Sequence, residues 1–161
     1  MPSSLIKRLA LGAAAGLAGT IAIRLSEVIS QKVAPQSLDP IRRSPGKHMV
    51  EQLEAPLPFK VRLNIPEVVE TIASEGAGYV YGASFGALYA ATRPAGGPVY
   101  GDGPVLGMIC WAVGYLGWLP AMRLMNPIWK HRPAEIAGPI VRHAVYGVTT
   151  VAAYDALEKM A

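Results

Sequence analysis

Arg142 and His143 stand side by side near the middle of an otherwise apolar segment. An arginine surrounded by lipid costs about 2.5–3.5 kcal/mol on insertion scales, so it must turn inward to a partner. A histidine beside it titrates near neutrality and can pass a proton. Glu27 closes one neighbouring apolar segment, Glu75 opens another on the same side, and Arg24 lies one turn before Glu27. These spacings predict a polar cluster of Arg24, Glu27, Glu75, Arg142 and His143 inside a helical bundle. Two chemistries fit it, an ion or proton path and a site for an anionic headgroup. The structural alternative is a buried ion pair that fixes helix register, with Arg24 reaching out to the interface.

Other chemistry finds little footing. A bis-histidine haem needs two intramembrane histidines, and only His143 qualifies, because His48 and His131 fall in loops. Cys110 is the single cysteine, which excludes an intrachain disulfide and a cysteine-based metal site. It lies in an apolar run and reads as a small buried hydrophobe. The sequence has no Gly-rich phosphate loop, no nucleophile elbow and no His-Glu-x-x-His run. No enzyme, no resident cofactor and no metal are expected.

The elements that must position the cluster are apolar helices. Only 16% of the 161 residues are charged and the mean hydropathy is +0.30, where a soluble domain carries about a quarter charged residues. The formal charge of +4 is spread between apolar segments rather than gathered in a patch, so nucleic acid is not an expected partner. The lipid bilayer is.

Four segments are expected to span: about 5–30, 76–92, 103–122 and 134–157, with a polar, Pro-rich loop at 31–75. The expected fold is all-α, a four-helix transmembrane bundle forming one integral membrane domain over 1–161. Lys7-Arg8 before an apolar run resembles a signal peptide, but no small-x-small cleavage site follows and Arg24 and Glu27 do, so the run is read as a retained first helix. Pro66 with Glu67 and Glu70 marks a helix start that either lies on the membrane surface or runs on into the second span. A short helix is expected over 47–54, and kinks at Pro120 and Pro139. Trp111, Trp118 and Trp129, with Tyr100 and Tyr115, read as packing and interfacial side chains.

Basic residues set an orientation. Lys32, Arg42, Arg43, Lys47, Lys60, Arg62, Arg123, Lys130 and Arg132 fall in the first and third loops, against Lys7, Arg8, Arg93 and Lys159 on the other side. The positive-inside rule then puts both termini outside and the long loop in the cytoplasm.

Small residues mark where the helices meet, because spanning helices associate through close packing. Gly12 and Gly16 lie on the first span, Gly78, Gly82 and Gly86 form a ridge on the second, Gly103 and Gly107 open the third, and Gly147 lies on the fourth. Val80-Tyr81-Gly82 is echoed by Val145-Tyr146-Gly147, and Ala87 and Tyr89 by Ala152 and Tyr154 at the same spacing. Either two helical hairpins are duplicated about an axis along the membrane normal, or Gly/Ala/Tyr-rich segments coincide by chance.

The stretch Tyr115-Leu116-Gly117-Trp118-Leu119-Pro120-Ala121, a short basic loop with proline, and then His143-Ala144-Val145-Tyr146-Gly147 resembles the YagU-type family of small bacterial inner-membrane proteins, whose function is unknown. The likeness covers roughly the last 60 residues and extends to Tyr81-Gly82 and Gly86-Ala87-Leu88-Tyr89. Where the family pattern has a histidine three residues before the second-span Tyr-Gly, this chain has Gly78. The resemblance implies a four-span protein of the bacterial cytoplasmic membrane and brings no activity. The leading functional expectation is a structural or accessory subunit, with other membrane subunits or a second copy as partners. The alternatives are ion-linked permeation through the Arg142/His143 cluster and a lipid or quinone binder.

Overall fold

The structure, a computed structural model, describes residues 4–38, 40–41, 46–48, 51, 55–56, 67–93 and 95–161. Among these residues it is all-α, with no strand. Helix α1 runs Leu5–Val33, α2 Glu67–Thr92, α3 Val99–Ala121 and α4 Pro133–Met160, with 3-10 turns at Pro35–Ser37 and Ile128–Lys130. The start expected near Pro66 belongs to one continuous helix that runs on through the second apolar stretch. Arg42, Arg43, Lys60, Arg62 and most of the short helix expected over 47–54 lie outside the described residues.

Local chemistry sets the ends. The Ser4 hydroxyl accepts from the Lys7 N–H to cap α1, and the turn after α1 begins at Pro35. Helix α4 opens with Pro133 in its first turn, and the Glu135 carboxylate reaches back to the Arg132 N–H at 3.0 Å, closing a capping box. Thr20, Ser26, Ser30, Ser84, Thr92 and Thr150 all return their hydroxyl protons to carbonyls in the preceding turn of their own helix. That satisfies polar groups without leaving the helix.

Helix α3 is regular from Val99 to Ala112 and then widens into a π-helical segment, Val113–Trp118, with Gly117 at φ −103°, ψ −105°. The disturbance expected at Pro120 therefore begins earlier in the chain, at Val113. Pro120 has no N–H to give and its ring would strike the carbonyl four residues back; a wider turn avoids both. Helix α4 stays α-helical through the buried Pro139.

The helices stand in the order α2, α1, α4, α3. Lengthwise packing joins α1 to α2, α1 to α4 and α3 to α4, while α2 and α3 scarcely touch. A Cβ on Gly86 would strike the Gly12 carbonyl oxygen and the Gly16 nitrogen; one on Gly147 would strike the Gly103 carbonyl oxygen and the Gly107 nitrogen. Gly16 likewise sits on the Gly82 carbonyl as Gly107 sits on that of His143. The two hairpins thus use the same backbone contact. Its register matches Gly86 with Gly147, one turn away from the Tyr-Gly echo, which pairs Gly82 with Gly147.

The interior mixes small and polar residues, Gly12, Gly16, Gly19, Thr20, Arg142, Thr150 and Asp155, with large apolar and aromatic ones such as Leu106, Trp111, Tyr115, Leu119, Tyr146 and Tyr154. Large apolar side chains face outward on every helix, among them Leu25 and Ile29, Val80 and Leu88, Ile109 and Leu116, and Val141. Among the described residues two helices, α1 and α3, are long and apolar enough to cross a membrane. Of the four spans expected, α2 and α4 have the length, with 26 and 28 residues, but fall short of that apolarity because glycine, tyrosine and charged residues dilute them.

Candidate functional site

Because α1 and α2 are antiparallel and in close contact, the end of one brings Arg24 and Glu27 beside the start of the other. Arg24 Nη2 lies 2.9 Å from Glu75 Oε2, and Nη1 3.9 Å from Glu27 Oε2. Gly78 leaves room for it, since a Cβ there would lie 3.2 Å from the Arg24 guanidinium. Gly78 therefore departs from the packing role expected of it: the ridge that meets α1 is Gly82, Gly86 and Ala90, and Gly78 houses a side chain instead.

Arg142, on α4, is 3% exposed and donates through Nη1 to the Ser37 carbonyl oxygen at 2.9 Å. Gly138 lets the Pro35–Ser37 turn press onto α4, because any Cβ there would strike the same carbonyl. His143 places Nδ1 2.8 Å from the Pro139 carbonyl oxygen and its ring edge-on to Tyr115 at 5.7 Å. A carbonyl only accepts, so Nδ1 carries the proton and Nε2 of the neutral ring is an acceptor.

All five residues of the expected cluster line one cavity of about 540 Å³. A second cavity of about 640 Å³ shares Arg24, Gly78, Tyr81, Cys110 and His143 with it and extends between α2 and α3, walled by Tyr115, Trp118 and Leu119. One end of the combined space is charged and the other is aromatic and apolar. Tyr81 stands at the junction: its hydroxyl donates to the Cys110 carbonyl at 3.2 Å and its ring packs against Phe85 and Trp118. The Trp118 indole N–H, buried in the wall of this second cavity, has no acceptor among the described residues.

Sequence reading missed a ladder on α4. Arg142, Tyr146, Thr150, Tyr154 and Glu158 recur every four residues on one face, and the first four are at most 3% exposed. The Tyr146 hydroxyl crosses to the Gly82 carbonyl at 2.7 Å, and Tyr154 donates to Glu158 at 3.3 Å. The spacing was visible, but the tyrosines drew notice only as part of an echo. A second polar group at the far end was also missed. There Arg8 bonds the Ala90 and Arg93 carbonyls, Tyr89 donates to Asp102 at 3.1 Å, and the Gly96 N–H donates to Asp155 at 2.8 Å.

Set against family models, curated proteins and solved structures, the chain matches none. The site must be read from its own chemistry. No group of three or more possible metal ligands occurs among the described residues. What the arrangement offers is a space with ion-paired groups at one end and aromatic walls at the other, suited to a molecule that is itself polar at one end.

Proposed function

We propose that this is a four-span protein of the bacterial cytoplasmic membrane, YagU-type, which holds a lipid-like amphiphile in the cleft between α2 and α3. The observation that carries the reading is the joining of the charged 540 Å³ cavity to the aromatic 640 Å³ cavity through shared walls. The polar head sits among Arg24, Glu27, Glu75, Arg142 and His143, and the tail lies along Tyr81, Tyr115 and Trp118. This moves the weight from a purely accessory subunit to the lipid- or quinone-binder alternative, still without catalysis.

Four spans are supported by packing. Helices α2 and α4 lie lengthwise on α1 through glycine contacts, so a membrane crossed by α1 is crossed beside them too. The outward apolar faces would all meet lipid, and the backbone is satisfied within helices, as a bilayer requires.

The test is retention of a lipid-like molecule by the detergent-purified protein, read by native mass spectrometry. Wild type is expected to keep a bound amphiphile through gentle detergent exchange. Gly78→Leu fills the shared part of both cavities, and its Cβ meets only the flexible Arg24 head. It should stay folded by circular dichroism and lose the ligand. A wild type that flies bare, or equal retention by a folded Gly78→Leu, would overturn the reading.

A further inference from the structure

The cleft does not stop at Tyr81. On the other side of that ring a cavity of about 330 Å³ lies between the same two helices, lined by Phe85, Tyr89, Thr92, Arg93, Asp102 and Ile109. Its walls continue those of the first without a gap in the chain: Ser84 lines one cavity and Phe85 the next, Cys110 one and Ile109 the next. The two cavities share no lining residue but follow one another along the same faces of α2 and α3, which scarcely touch while α1 and α4 pack closely.

Both ends of this groove carry the same device. At one rim Arg24 pairs with Glu75 at 2.9 Å, and at the other Arg93 pairs with Asp102 at 3.3 Å. Glu75 lies on α2 and Arg93 directly follows its last residue, and their separation at 1.5 Å per residue is about 27 Å, close to the roughly 30 Å of a hydrocarbon core. Between them the α2 wall presents hydroxyls at Tyr81, Ser84, Tyr89 and Thr92. Each hydroxyl now donates to a protein acceptor, and its oxygen keeps a lone pair for a cation.

We infer that this groove carries the zwitterionic headgroup of a glycerophospholipid from one leaflet to the other, the acyl chain that rests along Tyr81, Tyr115 and Trp118 moving out into the surrounding lipid as the headgroup advances. The inference rests on the proposed four-span, amphiphile-binding reading and adds transbilayer movement to it. An arginine–carboxylate pair matches a zwitterion by exchange of partners, arginine to phosphate and carboxylate to ammonium, so neither charge is stranded at either rim. The hydroxyls replace headgroup water along the way. Nothing in the path supplies energy, so the movement runs down the gradient in either direction. Tyr81 bridges the groove, and its bond to the Cys110 carbonyl must open as a headgroup passes.

The experiment uses the purified full chain in phosphatidylcholine vesicles containing a trace of fluorescent phosphatidylcholine, with dithionite added outside. Empty vesicles lose only the outer-leaflet label; wild-type vesicles should go on to lose nearly all of it. Ser84 and Thr92 are exposed, so the double variant Ser84→Leu/Thr92→Leu should fold normally. Its slow phase should fall by roughly an order of magnitude, because polar groups at membrane depth lose their partners. Wild-type vesicles that bleach like empty ones, or a double variant as fast as wild type, would overturn the inference. If native mass spectrometry still finds a bound lipid in that case, the binding reading stands and only the movement falls.

Discussion

Arg123 sits at φ +59° and Gly96 at φ +88°, in the left-handed region that costs a side chain about 1–2 kcal/mol. Arg123 is exposed at the end of α3, where its N–H caps the Pro120 carbonyl at 3.0 Å. Arg123→Gly should therefore stabilise by about 1 kcal/mol. Gly96→Ala should destabilise by a similar amount, although a Cβ there meets nothing within 4 Å. Thermal unfolding in detergent, with the two midpoints moving in opposite directions, checks both. At this scale the sequence was informative about side chains and silent about their backbone partners. Arg24, Glu27, Glu75, Arg142 and His143 were singled out by charge among apolar neighbours, and all five line one cavity. The acceptors facing Arg142 and His143, the carbonyls of Ser37 and Pro139, have no side-chain identity, so no residue type announces them.

Among the elements, two glycines of α2 separate packing from propensity. Gly86 lies on the α1 backbone, whereas Gly76 has nothing within 4 Å of a Cβ. Gly86→Ala should cost about 1–3 kcal/mol by forcing α1 and α2 apart. Gly76→Ala should gain up to about 1 kcal/mol from helix propensity alone. Denaturation in mixed micelles resolves the two, and a Gly86→Ala as stable as wild type would remove the glycine contact as the reason α1 and α2 pack. The helices themselves were legible because their apolar runs are long. The hairpin register was not, because the letters that repeat, Tyr-Gly, are one turn away from the glycines that touch. Nor was the π-helical segment of α3 foreseeable in extent: Pro120 marks the disturbance, but where the strain is taken up depends on Gly117, the wider turns of the six-residue segment Val113–Trp118 and the packing of Trp111 on Tyr115.

For the molecule as a whole, two fixed points follow from exposed aromatic residues at opposite ends of α3 and its loop. Tyr100 is 87% exposed near the start of α3, and Trp129 is 79% exposed in the loop before α4. The sequence gives no distance between them, but α3 separates them by one helix long and apolar enough to cross a membrane. The positive-inside rule, applied to lysine and arginine, expects the Trp129 side, with Lys32, Lys47, Arg123, Lys130 and Arg132, to be cytoplasmic. Cysteine substitution tests this cleanly, because the native Cys110 is 4% exposed and should stay silent to a bulky aqueous reagent. In spheroplasts, Tyr100→Cys should react with a membrane-impermeant maleimide and Trp129→Cys should react only after lysis. The reverse pattern would invert the orientation while keeping the bundle. Labelling of both from outside would mean that α3 does not cross, and the groove between α2 and α3 would then face water instead of lipid, which removes the physical basis for an amphiphile lying in it.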